Sequence, residues 1–185
     1  MKRRHFVAGS LALAATGGCA KPAPLALPRF TAEELLARAK KNGESGKVTA
    51  FHFWATWCGP CIDEFPLIES EWRGWIRDDK DLDFLGVSVD EPSLNVIKRS
   101  GFDAAVVARD ASVRKFIAEQ RTTFPMSIAV AEDPDAFAEE IDSGWPAVLP
   151  TTLLFGLDGA LAHRNIGALR VSRFRDKVRE ALASP

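Results

Sequence analysis

The sequence predicts an α/β domain built on a central β-sheet of mixed strand direction. Short β-rich runs alternate with amphipathic helical segments along most of the chain, which is typical of a sheet flanked by helices. The last two strand segments are joined by Asp158-Gly159, a dipeptide that favours a tight hairpin, so antiparallel neighbours are also expected. The 185 residues are the length of one domain, and 46% apolar residues are enough for a sizeable core.

Local signals predict each element in turn. Thr31 and Glu34 form a capping-box pattern at the start of a helix that runs to about Lys41. Strands are expected where β-branched and aromatic residues cluster, and helices where apolar residues recur every three or four positions. The remaining elements are the strand Val48–Trp54, a helix from just after Cys58 to Ile76, the strand Leu82–Val89, the helices Pro92–Ser100 and Ser112–Gln120, the strand Met126–Ala131, the helix Pro134–Ile141, the strands Thr151–Phe155 and Ala160–Ile166, and the helix Val171–Leu182.

The N-terminal residues have the pattern of an export signal. Three cations, an apolar run of about ten residues and a small-residue stretch follow one another, and the run is too short to span a bilayer. Arg3 to Val7 resembles the twin-arginine motif, and Thr16 to Cys19 resembles a bacterial lipoprotein cleavage box. The resemblance implies a signal peptide at 1–18, a lipid on Cys19, a proline-containing tether at 19–30 and a domain at 31–185. The alternative is an ordinary signal peptide that leaves Cys19 without a role.

Charge and cysteine content exclude several classes of protein. With 24 basic and 25 acidic residues, the chain lacks the cationic surplus of a nucleic-acid-binding protein and the composition of a disordered one. Three cysteines are too few for a disulfide-dense scaffold, and their odd number means that they cannot all pair with one another. One stands at position 19, and the other two are close together at 58 and 61.

Cys58 and Cys61 form a Cys-x-x-Cys pair at a strand-to-helix junction. The unpaired N–H groups and the dipole of a helix N-terminus stabilise a thiolate there, and the thiolate is the nucleophilic form. Cys61, one turn on, can resolve a mixed disulfide formed on Cys58. A zinc site would need two further ligands, and the positions of the other cysteine and the histidines fit no zinc motif. A purely structural disulfide is the other alternative.

The segment Trp-Ala-Thr-Trp-Cys-Gly-Pro-Cys at 54–61 resembles the thioredoxin fold. More narrowly, it resembles the TlpA/ResA/DsbE group of membrane-tethered bacterial thiol-disulfide oxidoreductases, over roughly residues 30–182. Pro66 stands where that family's active-site helix carries a kinking proline. Leu149 to Thr152 resembles the loop that carries the family's cis-proline opposite the cysteines. The resemblance therefore implies an α/β thioredoxin-like fold with a central mixed sheet flanked by helices.

The resemblance also assigns roles to residues. The implied catalytic residues are Cys58, Cys61, Glu64 and Pro150, with Cys58 and Cys61 as the redox-active disulfide. The implied substrate-binding residues are Trp57, Gly59, Pro60, Leu149 and Thr151. In the family, an acid at the position of Glu64 is thought to tune the thiols and assist proton transfer; a solvated acid near the helix dipole is the alternative. A cis bond before Pro150 would leave the Leu149 backbone available to a substrate strand.

Two features depart from the family pattern, and two aromatic residues have alternative placements. His52 stands where the family has aspartate or asparagine, and is either a proton acceptor for Cys61 or a buried neutral histidine bonded to backbone. The stretch 92–111 is expected to be an extra helical insertion, either a surface elaboration or a face that docks a partner. Trp145 and Phe124 are expected in the core, with the substrate groove as the alternative.

The expected function is a thiol-disulfide oxidoreductase that reduces disulfides of exported proteins, with cytochrome c maturation as a typical destination. Its expected partners are those substrates, a membrane thiol-disulfide electron donor and the membrane, reached through the N-terminal lipid on the periplasmic side. We expect a monomer without cofactor, metal or nucleic acid. The alternative is a thioredoxin-fold copper chaperone using His163, or a non-enzymatic binding module. A peroxiredoxin-like peroxidase is disfavoured, because Ala55 stands where that signature places threonine.

Overall fold

A computed structural model of the protein describes residues 27–131 and 133–184. The protein is built around one six-stranded mixed sheet. Neighbouring strands follow the order β1-β4-β3-β2-β5-β6. The strands are β1 (Arg29–Phe30), β2 (Val48–Trp54), β3 (Leu82–Ser88), β4 (Met126–Ala129), β5 (Thr151–Phe155) and β6 (Leu161–Ile166). β1 to β4 pair in parallel, whereas β5 and β6 pair antiparallel to their neighbours. The mixed α/β sheet predicted from the sequence is confirmed.

Helices cover both faces of this sheet. They are α1 (Ala32–Glu44), α2 (Gly59–Gly74), α3 (Leu94–Ser100), α4 (Phe102–Glu119), α5 (Pro134–Ile141) and α6 (Val171–Ala183), with a 3-10 turn at Ile76–Asp78. The predicted capping box at the start of α1 is present, with both reciprocal hydrogen bonds between Thr31 and Glu34. α2, α4 and α6 contribute to one buried apolar cluster, and α1 and α5 contribute to the other. Among the described residues, no helix is both long and apolar enough to cross a bilayer.

The central strand β2 separates the two cores. All seven of its residues are buried, because both faces of the sheet are covered. Successive side chains of a strand point to opposite faces, so Ala50 and Trp54 pack into the α2 side while Phe51 and Phe53 pack into the α1 side. His52 lies between Phe51 and Phe53 in sequence, and therefore faces α2.

Two elements differ from the sequence-based expectation. Arg29–Phe30, assigned to the tether, forms β1 because tertiary contacts hold it: the Pro28 carbonyl accepts from Ile128 N–H at 3.0 Å, and Arg29 pairs with Asp110 of α4. The second helix of the 92–120 region begins at Phe102 and not at Ser112. Gly101, at φ +86°, separates α3 from α4. The predicted signal peptide and Cys19 lie outside the described residues.

Candidate active site

The two cysteines form a disulfide at the N-terminus of α2. Cys58 is the N-cap residue, and its Sγ accepts a hydrogen bond from the Cys61 N–H at 3.2 Å. Cys58 is 5% exposed and Cys61 is fully buried, so an incoming reagent can reach only the first sulfur. The helix N-terminus supplies N–H donors that stabilise negative charge on that sulfur once the disulfide is reduced. The arrangement fits an attacking and a resolving thiol.

The surface around Cys58 is formed by the turn that precedes α2 and by the loop that precedes β5. Trp57 is 71% exposed, and Gly59 and Pro60 are also exposed. Phe53 pairs with Thr151 across β2 and β5, so the preceding Pro150 lies level with the end of β2. The Leu149–Pro150 peptide is cis, as predicted.

Hydrogen bonds hold the cis-proline loop in place. The Thr151 hydroxyl donates to the Val148 carbonyl at 2.7 Å, and the Trp145 indole N–H donates to the same oxygen at 3.2 Å. Trp145 is buried and lies against Phe53 at 4.5 Å between ring centroids, which places it in the core as expected. Phe124 is buried as well. One side of the disulfide therefore faces a loop of fixed shape.

His52 and Glu64 lie in contact beneath the active-site helix. His52 Nε2 is 3.2 Å from Glu64 Oε1, and both side chains are almost completely buried. The other imidazole nitrogen lies 3.0 Å from the Thr152 hydroxyl, and the other carboxylate oxygen accepts from the Leu169 N–H at 2.8 Å. Neither His52 Nε2 nor Glu64 Oε1 has a partner of good hydrogen-bond geometry among the described residues. The contact is therefore a close approach of two titratable groups.

The sequence suggested a role for His52 and a role for Glu64, but it did not predict the contact between them. The signal was present: the alternation of β2 turns His52 toward α2, and Glu64 follows Cys61 by one helical turn on the buried face. His52 bonds a side chain on β5 and approaches another on α2, so the expectation that a buried histidine would bond to backbone is wrong.

Asp90 ties the loop before the disulfide to the end of β3. Its buried carboxylate accepts from the Thr56 N–H at 3.0 Å, from the Thr56 hydroxyl, and from the Ser88 hydroxyl at 2.8 Å. Asp90 was not among the residues expected at the site. Its position directly after a buried parallel strand was the available signal, because the carboxyl ends of parallel strands meet at one edge of the sheet.

His163 lies far from the cysteines. It pairs with Leu154 across β5 and β6, and Leu154 pairs with Ala50, which precedes the end of β2 by four residues. Burial, followed by the charges of Lys177 and Arg173, lowers the pKa of His163 below its ordinary value. Among the described residues, no three His, Cys, Asp or Glu side chains form a metal-binding group. The geometry gives the copper-chaperone alternative no support.

A disulfide at the N-terminus of the helix that follows the central strand, level with a cis-proline loop, defines a thioredoxin-like thiol-disulfide oxidoreductase. The chain belongs to the AhpC/TSA family, whose model matches residues 26–164.

Two relatives carry the name thiol-disulfide oxidoreductase ResA. The Bacillus subtilis protein is 23% identical over 150 residues, which cover 80% of this chain and 70% of that protein. The Geobacillus thermodenitrificans protein is 35% identical over 72 residues, covering 38% and 40% of the two chains.

Solved structures share the fold at low sequence identity. A thiol:disulfide interchange protein of the thioredoxin family from Chlorobium tepidum superposes with a TM-score of 0.54 and 24% identity, covering 88% of this chain and 99% of that one. A thiol-disulfide isomerase from Corynebacterium glutamicum gives 0.57 and 14% identity, covering 78% and 86%. These likenesses establish the fold.

Proposed function

We propose that this protein reduces disulfides of exported proteins, using Cys58 as the nucleophile and Cys61 as the resolving thiol. The observation that carries the proposal is the difference in access between the two sulfurs at the helix N-terminus, with Cys58 at 5% exposure and Cys61 at 0%. A reagent that meets the reduced site encounters Cys58 first, whereas Cys61 is placed to attack only a partner already bound to Cys58.

The proposed reaction consists of two successive thiol-disulfide exchanges. The Cys58 thiolate attacks one substrate sulfur, the substrate S–S bond breaks, and the other substrate sulfur leaves as a thiolate that takes up a proton. The Cys61 thiol then gives up its proton, its thiolate attacks Cys58 Sγ, the mixed disulfide breaks, and the second substrate sulfur leaves as a thiolate that takes up a proton. Two electrons and two protons pass to the substrate, and the Cys58–Cys61 disulfide remains. An external dithiol carrier in the membrane returns the protein to its reduced form.

We assign proton handling for Cys61 to the buried pair of His52 and Glu64. Glu64 lies one turn beyond Cys61 on the buried face of α2, and His52 lies 3.2 Å from its carboxylate. A proton released by the Cys61 thiol can pass to this pair, because His52 Nε2 and Glu64 Oε1 are buried polar atoms without a hydrogen-bond partner among the described residues. Pro150 and Leu149 would align the substrate strand beside Cys58, together with Trp57, Gly59, Pro60 and Thr151.

The export-signal pattern at the N-terminus supports a periplasm-facing location, with a lipid on Cys19 as the membrane anchor and cytochrome c maturation as a destination. Cys19→Ala should release the protein from membranes into the soluble periplasmic fraction.

A strain that lacks the protein should accumulate cytochrome c without covalently bound haem. Normal haem attachment in that strain would exclude this destination.

Trapping tests the chemistry directly. Cys61→Ser should accumulate covalent adducts between Cys58 and substrate proteins that dithiothreitol releases, whereas Cys58→Ser should accumulate none. Equal trapping by both variants would contradict the assigned roles.

A redox titration should give a potential nearer to thioredoxin, at about −270 mV, than to the oxidant DsbA, at about −120 mV. Reduction of hydrogen peroxide at a rate above disulfide exchange would favour a peroxidase instead.

A further inference from the structure

A cleft of about 210 Å³ opens next to the turn that precedes Cys58. Trp57, from the turn before Cys58, and Leu149, from the cis-proline loop, line its near end. We name it the acid-rimmed cleft, and define it by these two residues together with the floor and rim residues described below. The cleft therefore adjoins both the turn that leads to Cys58 and the cis-proline loop.

The floor of the acid-rimmed cleft is apolar. Phe137 and Ala138 of α5 and Trp145 line it, and each is at most 6% exposed. These side chains belong to the core on the α1 side of the sheet, so the floor is held in place by packing and not by loop contacts alone. A rigid apolar floor favours an apolar side chain as its occupant.

The rim carries an excess of negative charge. The described residues that line the cleft include three acids and one cation. The acids are Asp90, Glu91 and Asp135, and the cation is Arg109. The Arg109 guanidinium lies 2.9 Å from Asp110, a carboxylate that it shares with Arg29, so the described lining keeps an excess of acids over cations. Asp90 is buried and occupied by Thr56 and Ser88, which leaves Glu91 and Asp135 as the exposed acids.

An exposed apolar surface continues the cleft outward. Leu94 of α3 and Phe102 at the start of α4 are 70% and 57% exposed, and they line a second hollow that shares Glu91 and Pro92 with the cleft. A surface of this extent, continuous from Trp57 to α4, suits a stretch of polypeptide better than a small molecule.

We propose that the acid-rimmed cleft selects protein substrates whose disulfide is flanked by an apolar side chain followed by a lysine or arginine. The inference rests on the proposed function, because the cleft acts only on a substrate bound at Cys58. The apolar side chain occupies the floor above Phe137 and Trp145. The neighbouring cation lies between Glu91 and Asp135, where opposite charge favours encounter and register.

The test uses synthetic peptides that each contain one intramolecular disulfide, next to Phe-Arg, Phe-Glu or Ser-Arg. The reduced protein should reduce the Phe-Arg peptide with a kcat/KM roughly five-fold or more above that of either other peptide at low salt, and added salt should shrink the charge preference. Every rate is divided by the rate of the same preparation with hydroxyethyl disulfide, a small neutral substrate.

Charge-reversal variants test which residues cause the preference for a cationic side chain in the substrate. The double variant Glu91→Lys/Asp135→Lys should reverse the order of the Phe-Arg and Phe-Glu peptides. The matched control Glu44→Lys/Asp81→Lys changes two exposed acids at the opposite end of the sheet and should keep the original order. Equal rates for the three peptides, or the same order in both double variants, would overturn the inference while reduction of hydroxyethyl disulfide upholds the proposed function.

Two other outcomes are decisive. Failure to reduce hydroxyethyl disulfide as well as the peptides would overturn the proposed function, and the inference with it. A concentration-dependent dimer in sedimentation, abolished by Leu94→Asp/Phe102→Asp, would mean that a second copy of the chain covers this surface, and would overturn the assignment to substrate.

Discussion

His52 of the central strand and Glu64 of the active-site helix approach to 3.2 Å in a fully buried setting. Each is held on its far side, His52 by the Thr152 hydroxyl and Glu64 by the Leu169 N–H. The contact joins four segments of the chain beneath Cys61. The contact and these two hydrogen bonds thus link the active-site helix to the central strand, so a change at either side chain should alter the stability of the fold.

A double-mutant cycle measures that link. His52→Asn and Glu64→Gln should each lower the free energy of unfolding by about 1–3 kcal/mol, because a buried polar group loses its partner. Their combination should depart from additivity by at least about 0.5 kcal/mol. Urea unfolding of the oxidised proteins provides the values, with the exposed Glu33→Gln as the control, expected within about 0.5 kcal/mol of the parent. Strict additivity would contradict an interaction between the two side chains.

Asp90→Ala should loosen the loop that leads into the disulfide. The substitution removes the acceptor of the Thr56 N–H, the Thr56 hydroxyl and the Ser88 hydroxyl, and should cost about 2–4 kcal/mol of unfolding free energy. The Thr56 amide should also exchange with solvent faster in native-state hydrogen exchange. Asp81→Ala removes an exposed aspartate and should change neither quantity measurably. Unchanged protection of Thr56 in Asp90→Ala would count against the loop contact.

His163 should make the fold less stable as the pH falls. Burial lowers its pKa below the ordinary value of 6.5, and Lys177 and Arg173 lower it further while Glu180 opposes them. As the pH drops through 6.5, the unfolded chain takes up a proton that the folded chain does not, so the free energy of unfolding decreases until the lower folded pKa is passed.

His163→Gln should remove this part of the pH dependence. Urea unfolding at pH 7.5, 6.5 and 5.5 would compare the two proteins, and the parent should lose more stability than the variant over that interval. Parallel profiles would show that the imidazole titrates alike in the folded and unfolded chains.

Gly43→Ala should destabilise the protein although alanine is the better helix former. A Cβ at this position in α1 would overlap the backbone carbonyl of Leu157, which cannot move without shifting the hairpin between β5 and β6. We expect a net loss of about 1–3 kcal/mol, against a helix-propensity gain of about 1 kcal/mol. Gly74→Ala, where a Cβ meets no atom within 4 Å, should be neutral or slightly stabilising in the same thermal or urea assay. A stabilised Gly43→Ala would refute the close approach.

Structural features that depend on a short stretch of sequence could be predicted from the sequence alone. The cysteine pair at a strand-to-helix junction and the seven-residue β2 each follow from a few adjacent residues, whereas the cis-proline was implied by the family resemblance. The approach of His52 to Glu64 and the attachment of Thr56 to Asp90 depend on how separate elements pack, and no local pattern encodes that. β1 was missed for the same reason, since two residues carry no periodicity and Arg29 becomes ordered through Asp110.

The pairing of β1 also determines where a tethered domain would be held. Arg29 is level with Ile128, which is level with Ser88, which is level with Trp54 at the end of the central strand. Three strand spacings, about 14 Å, therefore separate the chain's point of entry from the strand that leads to Cys58. The ten residues from Cys19 to Arg29 can span at most about 33–36 Å. An anchor at Cys19 would thus attach to the domain at the edge of its sheet, three strands away from the strand that leads to Cys58.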